Sequence, residues 1–434
     1  MNSLPRRLGL LLALYIAQGL PTGVFTQALP AILRSYDAPL SVISLSGLLA
    51  LPWALKVLWA PLVDRHYWPR MGYRRSWILP MNIGLIVLLA LLSQLDPNGL
   101  RQESGVLVLF FLLFLINLFA ATQDIATDGL AVGILSQHER GIGNGVQVAA
   151  YRIGLIIGGG LLLYVLGTWG WENAFLGLTV LSVLLLLPAL FFRESASLRP
   201  PLASNQQQET YAKGWLTFFQ RPSLAGWIWV LVTYKIAESL GSAMVKPMMV
   251  DHGFTLADMG LQISIVGSVA SIVGALLGGW LTDPLGRRRA LVLFGLLQTL
   301  AVGLYALPAA GWVPPGMDWR TWVIVVNAIE HVVSGMAMAA MLAAIMDRAR
   351  DDHAGSDFTL QVSLLALFGG AFYLPAGLLA ESVGYATHFV IAGLAGLLLI
   401  WPAWRYTREP EELLQDARRM ALQPNNLPLS KESS

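Results

Sequence analysis

Residues 121–132 read ATQDIATDGLAV and carry Gln123, Asp124 and, one helical turn later, Asp128, inside an apolar stretch from about residue 106 to about residue 135. Carboxylates at i and i+4 share one helix face. A charge at the middle of a membrane helix costs roughly 2.5–3.5 kcal/mol, and such groups face a bundle interior, a water-filled path or a partner charge. The chemistry open to them is to bind and release a proton or to exchange one ion-pair partner for another.

Lys56, Arg152 and Lys235 are the cations at similar depth. Asp124 lies 11 residues before Leu135 and Arg152 lies 10 residues after Ile142, so at a rise of ~1.5 Å per residue both sit ~15–16 Å from their helix ends. Equal depth makes Asp124 with Arg152 the leading expected pair. Lys56 falls at a depth of about 12 Å and Asp128 at about 10 Å on the same rise, which gives a second pairing. Lys235 and Glu238 stand at i, i+3 and can touch. Glu330 has no well-placed cation on its own helix, and its neighbour His331 titrates in the range suited to a proton relay.

The elements that hold these residues follow from composition. Hydrophobic residues make up 56% of the chain and charged residues 12%, with a mean hydropathy of +0.61. Many segments exceed the ~18–20 apolar residues needed to cross a bilayer. The spacing predicts twelve spans, at about 8–33, 40–62, 76–95, 106–135, 142–166, 171–192, 223–247, 258–282, 290–311, 321–346, 357–380 and 385–405. The first is too long for a removable leader and lacks a small-residue cleavage site. Placing the N-terminus in the cytoplasm puts 21 of the 28 Lys and Arg in cytoplasmic segments and 4 opposite, leaving only the three buried ones. That bias sets both termini of a multi-pass membrane protein in the cytoplasm.

The absence of cysteine excludes disulfides, thiolate metal sites and a thiol nucleophile. A net charge of +2 gives no support to a nucleic-acid partner. There is no His/Glu cluster with metal spacing and no Gly-x-Ser-x-Gly elbow, so neither a metal site nor an enzyme is expected. The glycine runs at 158–160 and 278–279 lack the Lys-Ser/Thr of a phosphate loop and read as close helix packing. No cofactor is implied.

An internal repeat organises the spans. WAPLVDRHYWPRMGYRRSWIL follows span 2 and GGWLTDPLGRRRALVLFG follows span 8. Each joins an Asp at a helix end to a glycine turn, a cluster of Arg and a fresh apolar run. Two similar halves result, 1–192 and 223–406, each a bundle of six helices. A polar linker, 193–222, joins them, and a polar tail covers 407–434. Asp64, Arg65, Arg74 and Arg75 in the first copy, with Asp283, Arg287 and Arg288 in the second, set a carboxylate beside cations twice, an arrangement suited to a cytoplasmic latch between the halves or, for the arginines alone, to fixing topology.

These paired loops resemble the loop signature of the major facilitator superfamily, although the first copy has HYWPRM inserted before Gly72. GLPTGVFTQALP, KVLWAPLVDR, ATQDIATDGLAV and ERGIGNGVQVAAYRIGLIIGGGL together resemble its AmpG-like branch, which includes muropeptide permeases, acetyl-CoA transporters and siderophore importers. The resemblance implies a monomeric all-α secondary transporter of twelve helices, with spans 1, 4, 7 and 10 lining a central path. Proton coupling then falls to Asp124, Asp128, Glu330 and Glu238. Substrate contacts fall to Gln18, Gln123, Lys56, Tyr151, Arg152, Tyr234, Lys235, Asn327 and His331. The compact twelve-span form, without two additional helices, ranks a proton-driven siderophore importer ahead of a muropeptide permease.

Overall fold

The computed structural model describes residues 3–36, 42, 46–194, 218–221, 224–255 and 265–405. Most of the linker 193–222 and nearly all of the tail lie outside the described residues. The rest is all-helical, and among the described residues no strand forms.

Span 1 runs Leu4–Ser35, span 3 Arg75–Ser93, span 4 Glu103–Ile134, span 8 Val266–Leu285, span 9 Arg287–Ala309 and span 10 Trp319–Arg348. Spans 5 and 6 form one continuous run, Gln137–Phe191, bent where Gly170 takes φ 81°. Spans 11 and 12 are separated in the same way at Gly384, with φ 77°. Both bends fall between segments that the sequence assigns to separate spans, and both need a backbone conformation that side chains beyond Cα disfavour. The two halves therefore repeat this turn at corresponding places.

Two spans are irregular where they carry a lysine. Span 2 is assembled from short pieces, with Lys56–Leu58 in a 3-10 turn between Leu51–Leu55 and Ala60–Arg65. Span 7 breaks between Leu224–Thr233 and Ile236–Asp251, and Lys235 sits in the break. Proline contributes to the irregularity of span 2, since Pro52 and Pro61 each remove a backbone donor.

The buried apolar side chains show how the halves are joined. One cluster contains Leu11, Tyr15, Leu135 and Ala150 from the first half together with Trp227, Phe294, Met341 and Phe358 from the second. This shared core lies toward the end that carries the arginine-rich loops. Toward the other end the halves keep separate cores, around Leu29, Leu92 and Phe175 in one and around Met248, Tyr305 and Phe389 in the other. The glycine runs pack closely except at Gly160: Gly158 sits against Leu20, Gly159 against Gln27, Gly278 against Met336 and Gly279 against Gly145, while Gly160 faces open space.

Candidate functional site

Span 4 brings its polar stripe into the bundle interior, where Gln123, Asp124 and Asp128 are all buried. Gln123 donates to Thr127 on its own helix at 2.9 Å. Asp124 forms its ion pair with Lys56, which also lies 5.4 Å from the Trp53 ring centre. The expected partner Arg152 is elsewhere. Equal depth fixes position along a helix but not rotation about it, and Arg152 shares a face of span 5 with Gly145, which packs on the opposite half. Lys56, on its 3-10 turn, reaches Asp124 through its four-carbon stem.

Asp128 takes neutral partners instead of Lys56. Tyr15 donates its hydroxyl to it at 2.9 Å and Gln147 its amide at 3.2 Å. Both of these partners are uncharged donors, unlike the lysine that meets Asp124. Gln18, one turn along span 1 from Tyr15, is buried with its amide nitrogen unpartnered among the described residues.

The second half has its own cluster. Lys235 and Glu238 form an ion pair. Glu238 also accepts hydrogen bonds from Gln298 and, at 2.9 Å, from Ser334. Glu330 is buried and meets Nδ1 of His331 at 2.8 Å, a contact that i, i+1 spacing does not suggest. The same ring nitrogen lies 2.9 Å from the Asn327 carbonyl, and Tyr305 reaches the Asn327 side chain at 3.3 Å. Tyr151 is half-buried beside Arg152. Tyr234 is buried and donates to the Leu291 carbonyl at 3.1 Å, so its hydroxyl serves helix packing.

At the arginine-rich end the two repeat carboxylates act across the interface between halves. Asp64 pairs with Arg74 and accepts from the Ser356 backbone at 2.7 Å, from its hydroxyl, and from Gly355 at 3.3 Å. Asp283 pairs with Arg287 at 2.8 Å and accepts from Gly141 at 2.9 Å and Ile142 at 3.2 Å. Each Asp therefore sits at the start of a helix in the other half, where free backbone donors and the helix dipole favour an anion. Asp347 extends the Asp283 set, accepting from Arg287 at 2.6 Å and from Arg140 of the other half at 3.0 Å. Arg75 donates to the Leu190 carbonyl within its own half, Arg288 lies over Trp404, and Arg65 is half-buried at the end of span 2. Tyr73, in the loop, donates to the Asp64 carbonyl at 2.8 Å. Burial pushes its phenol well above the ordinary value, against the opposing pull of the Arg74 guanidinium.

Sequence reasoning missed Tyr15, Gln147, Gln298, Ser334, Ser356 and Asp347. Only Asp347 left a signal, as an acid at a helix end beside arginines.

Comparison with known proteins bears on what this arrangement belongs to. The family model described as Major Facilitator Superfamily matches residues 11–373 and 238–431. An uncharacterized protein of Haemophilus influenzae is 33% identical over 398 residues, covering 89% of this chain and 92% of its own. The anhydromuropeptide permease of Escherichia coli is 29% identical over 402 residues, 91% of this chain and 79% of that one. A putative transporter AmpG 4 of Rickettsia conorii is 23% identical and is covered over 93% of its length. Among solved structures, the transporter FucP in the outward conformation superposes with a TM-score of 0.65 at 15% identity, over 93% of this chain and 99% of that one.

Proposed function

From a chain that belongs to the major facilitator superfamily, we propose an inner-membrane transporter of anhydromuropeptide-type substrates, driven by protons and working by rocking of its two halves. The observation that carries the transport mechanism is the arrangement of buried charge. Lys56 pairs with Asp124 in one half and Lys235 with Glu238 in the other, each lysine at a break in its span, while the halves share a core toward one end only.

The substrate class rests on the relatives named as anhydromuropeptide permease and AmpG transporters. It reverses the ranking that the compact twelve-span form suggested. The compact Rickettsia relative is covered over 93% of its length and carries the AmpG name, so a compact form gives no preference to siderophore import. No relative described above is named for an iron chelate, which leaves siderophore import without support.

In this reading Asp128 is the proton carrier, because its hydrogen-bond donors Tyr15 and Gln147 are neutral, whereas Asp124 and Glu238 are tied to lysines. Asp124 and Glu238 hold their lysines until substrate displaces them. The bonds of Asp64 and Asp283 close the cytoplasmic end, and their release opens it. Purified protein in proteoliposomes tests the proposal. A labelled anhydromuropeptide should accumulate under an imposed proton gradient and should not accumulate without one. Asp128→Asn should lose gradient-driven accumulation but keep substrate exchange across a membrane without a gradient, since an amide still accepts from Tyr15 and Gln147. Accumulation in Asp128→Asn equal to that of the parent would remove Asp128 from the coupling path.

A further inference from the structure

Of the three intramembrane cations, two are committed: Lys56 to Asp124 and Lys235 to Glu238. Arg152 is half-buried in span 5 and forms no ion pair with a carboxylate among the described residues. A guanidinium at that depth without a counter-charge persists where water or a ligand reaches it.

Its place on the helix shows what it faces. Gly145 of span 5 packs on the Ala275 carbonyl of span 8, and Gly141 on Gly279, so this face of span 5 touches the opposite half directly. Arg152 is seven residues beyond Gly145, two turns along the same stripe and about 10 Å nearer the end where the cores are separate. At the matching level of span 8, eight residues before Ala275, stands Gly267. A Cβ there would come within 2.8 Å of Cδ2 and Nε2 of His331, so the imidazole of span 10 lies over the bare backbone of span 8. Its Nδ1 is held by Glu330 and Asn327, and 30% of its side chain is exposed. Arg152 and His331 lie near enough to act on each other electrostatically. A cation from one half and an imidazole from the other thus look across one gap, just beyond the point where the halves touch.

We propose that Arg152 and His331 form a two-sided subsite for a carboxylate of the transported molecule, so that one anionic group engages both halves at once. Guanidinium supplies the planar, bidentate donor pair that a carboxylate fits. Both groups that meet Nδ1 are acceptors, so Nδ1 carries a hydrogen and Nε2 donates to the anion as part of an imidazolium that faces Glu330 on one side and the substrate carboxylate on the other, with Arg152 as the second charge. The inference rests on the transport of anhydromuropeptides proposed above and names the group by which such a substrate is held.

The test compares an anhydromuropeptide bearing free carboxylates with the same compound after amidation, in proteoliposomes containing the full chain. For the parent protein KM should be about tenfold or more lower for the acid, the range a charge-assisted bidentate contact supplies. Arg152→Gln should raise KM for the acid by about the same factor and leave the amide unchanged, and Arg152→Lys should recover part of the difference. The acid-to-amide comparison in the parent needs no variant, so it stands even where Arg152→Gln fails to fold. Equal KM for the two compounds, or an equal effect of Arg152→Gln on both, overturns the subsite and leaves the transport reading intact. Uptake of neither compound overturns the transport reading, and the subsite with it.

Discussion

Asp124 and Asp128 are one turn apart on the same face, yet their surroundings differ in kind. Asp124 is fixed by a formal charge and Asp128 by two dipoles. Removing one member of a buried pair strands the other, at about 3–5 kcal/mol, whereas removing both together is often neutral. Lys56→Met should therefore lower the thermal unfolding midpoint of the detergent-solubilised protein by several degrees, and Lys56→Met with Asp124→Leu should regain most of the loss. A double variant as unstable as the single would show that Lys56 is held by something other than Asp124. At this scale the sequence exposed which residues were costly but not how they were matched. Residue type and depth can be counted along a helix, while the partner depends on rotation and on groups as remote as Tyr15, 113 residues before Asp128.

At the scale of elements, the helices themselves were legible and their interruptions were not. Long apolar runs and the linker composition separated the spans, and the turns at Gly170 and Gly384 fall at the anticipated joints. The breaks at Lys56 and Lys235 gave no sign in hydropathy, because a 3-10 turn and an α-turn bury similar side chains. The crossing of spans 5 and 8 is also decided here. An ideal Cβ on Gly145 would stand 2.6 Å from the Ala275 carbonyl, while Gly160 on the same span has nothing within 4 Å. Gly145→Leu should then abolish transport and lower the unfolding midpoint, and Gly160→Leu should change neither by much. Thermal melts and uptake on the two variants side by side check this; equal tolerance would mean that the close approach is dispensable.

For the whole molecule, the halves are joined at one end by a shared apolar core and by polar contacts, in which two carboxylates occupy helix starts of the opposite half and Arg140 meets Asp347. Losing one should leave the other fastening in place, while Asp64→Asn with Asp283→Asn should weaken both. The chain contains no cysteine, so a single reporter can be introduced without background. Asn144→Cys is suited to this, since Asn144 is fully buried in span 5 and lies 3.7 Å from Met346 of the other half. Labelling by a membrane-impermeant maleimide from the arginine-rich side should be slow with either Asp alone altered and several-fold faster with both. Unchanged labelling in the double variant would assign the closure to the shared apolar core instead.

The exchange of carboxylates also bears on how such a molecule can come into being. Asp64 reaches Gly355 and Ser356, and Asp283 reaches Gly141 and Ile142: the donor half and the acceptor half trade places between the two contacts. That is the pattern of an isologous dimer, in which one surface meets its own copy through a two-fold axis. In a pair of identical six-helix subunits a single Asp would make both fastenings, and selection on one codon would act twice. Fusion into one chain releases the copies from that identity. The two sites already differ, one completed by the hydroxyl of Ser356 and the other extended through Arg287 to Asp347.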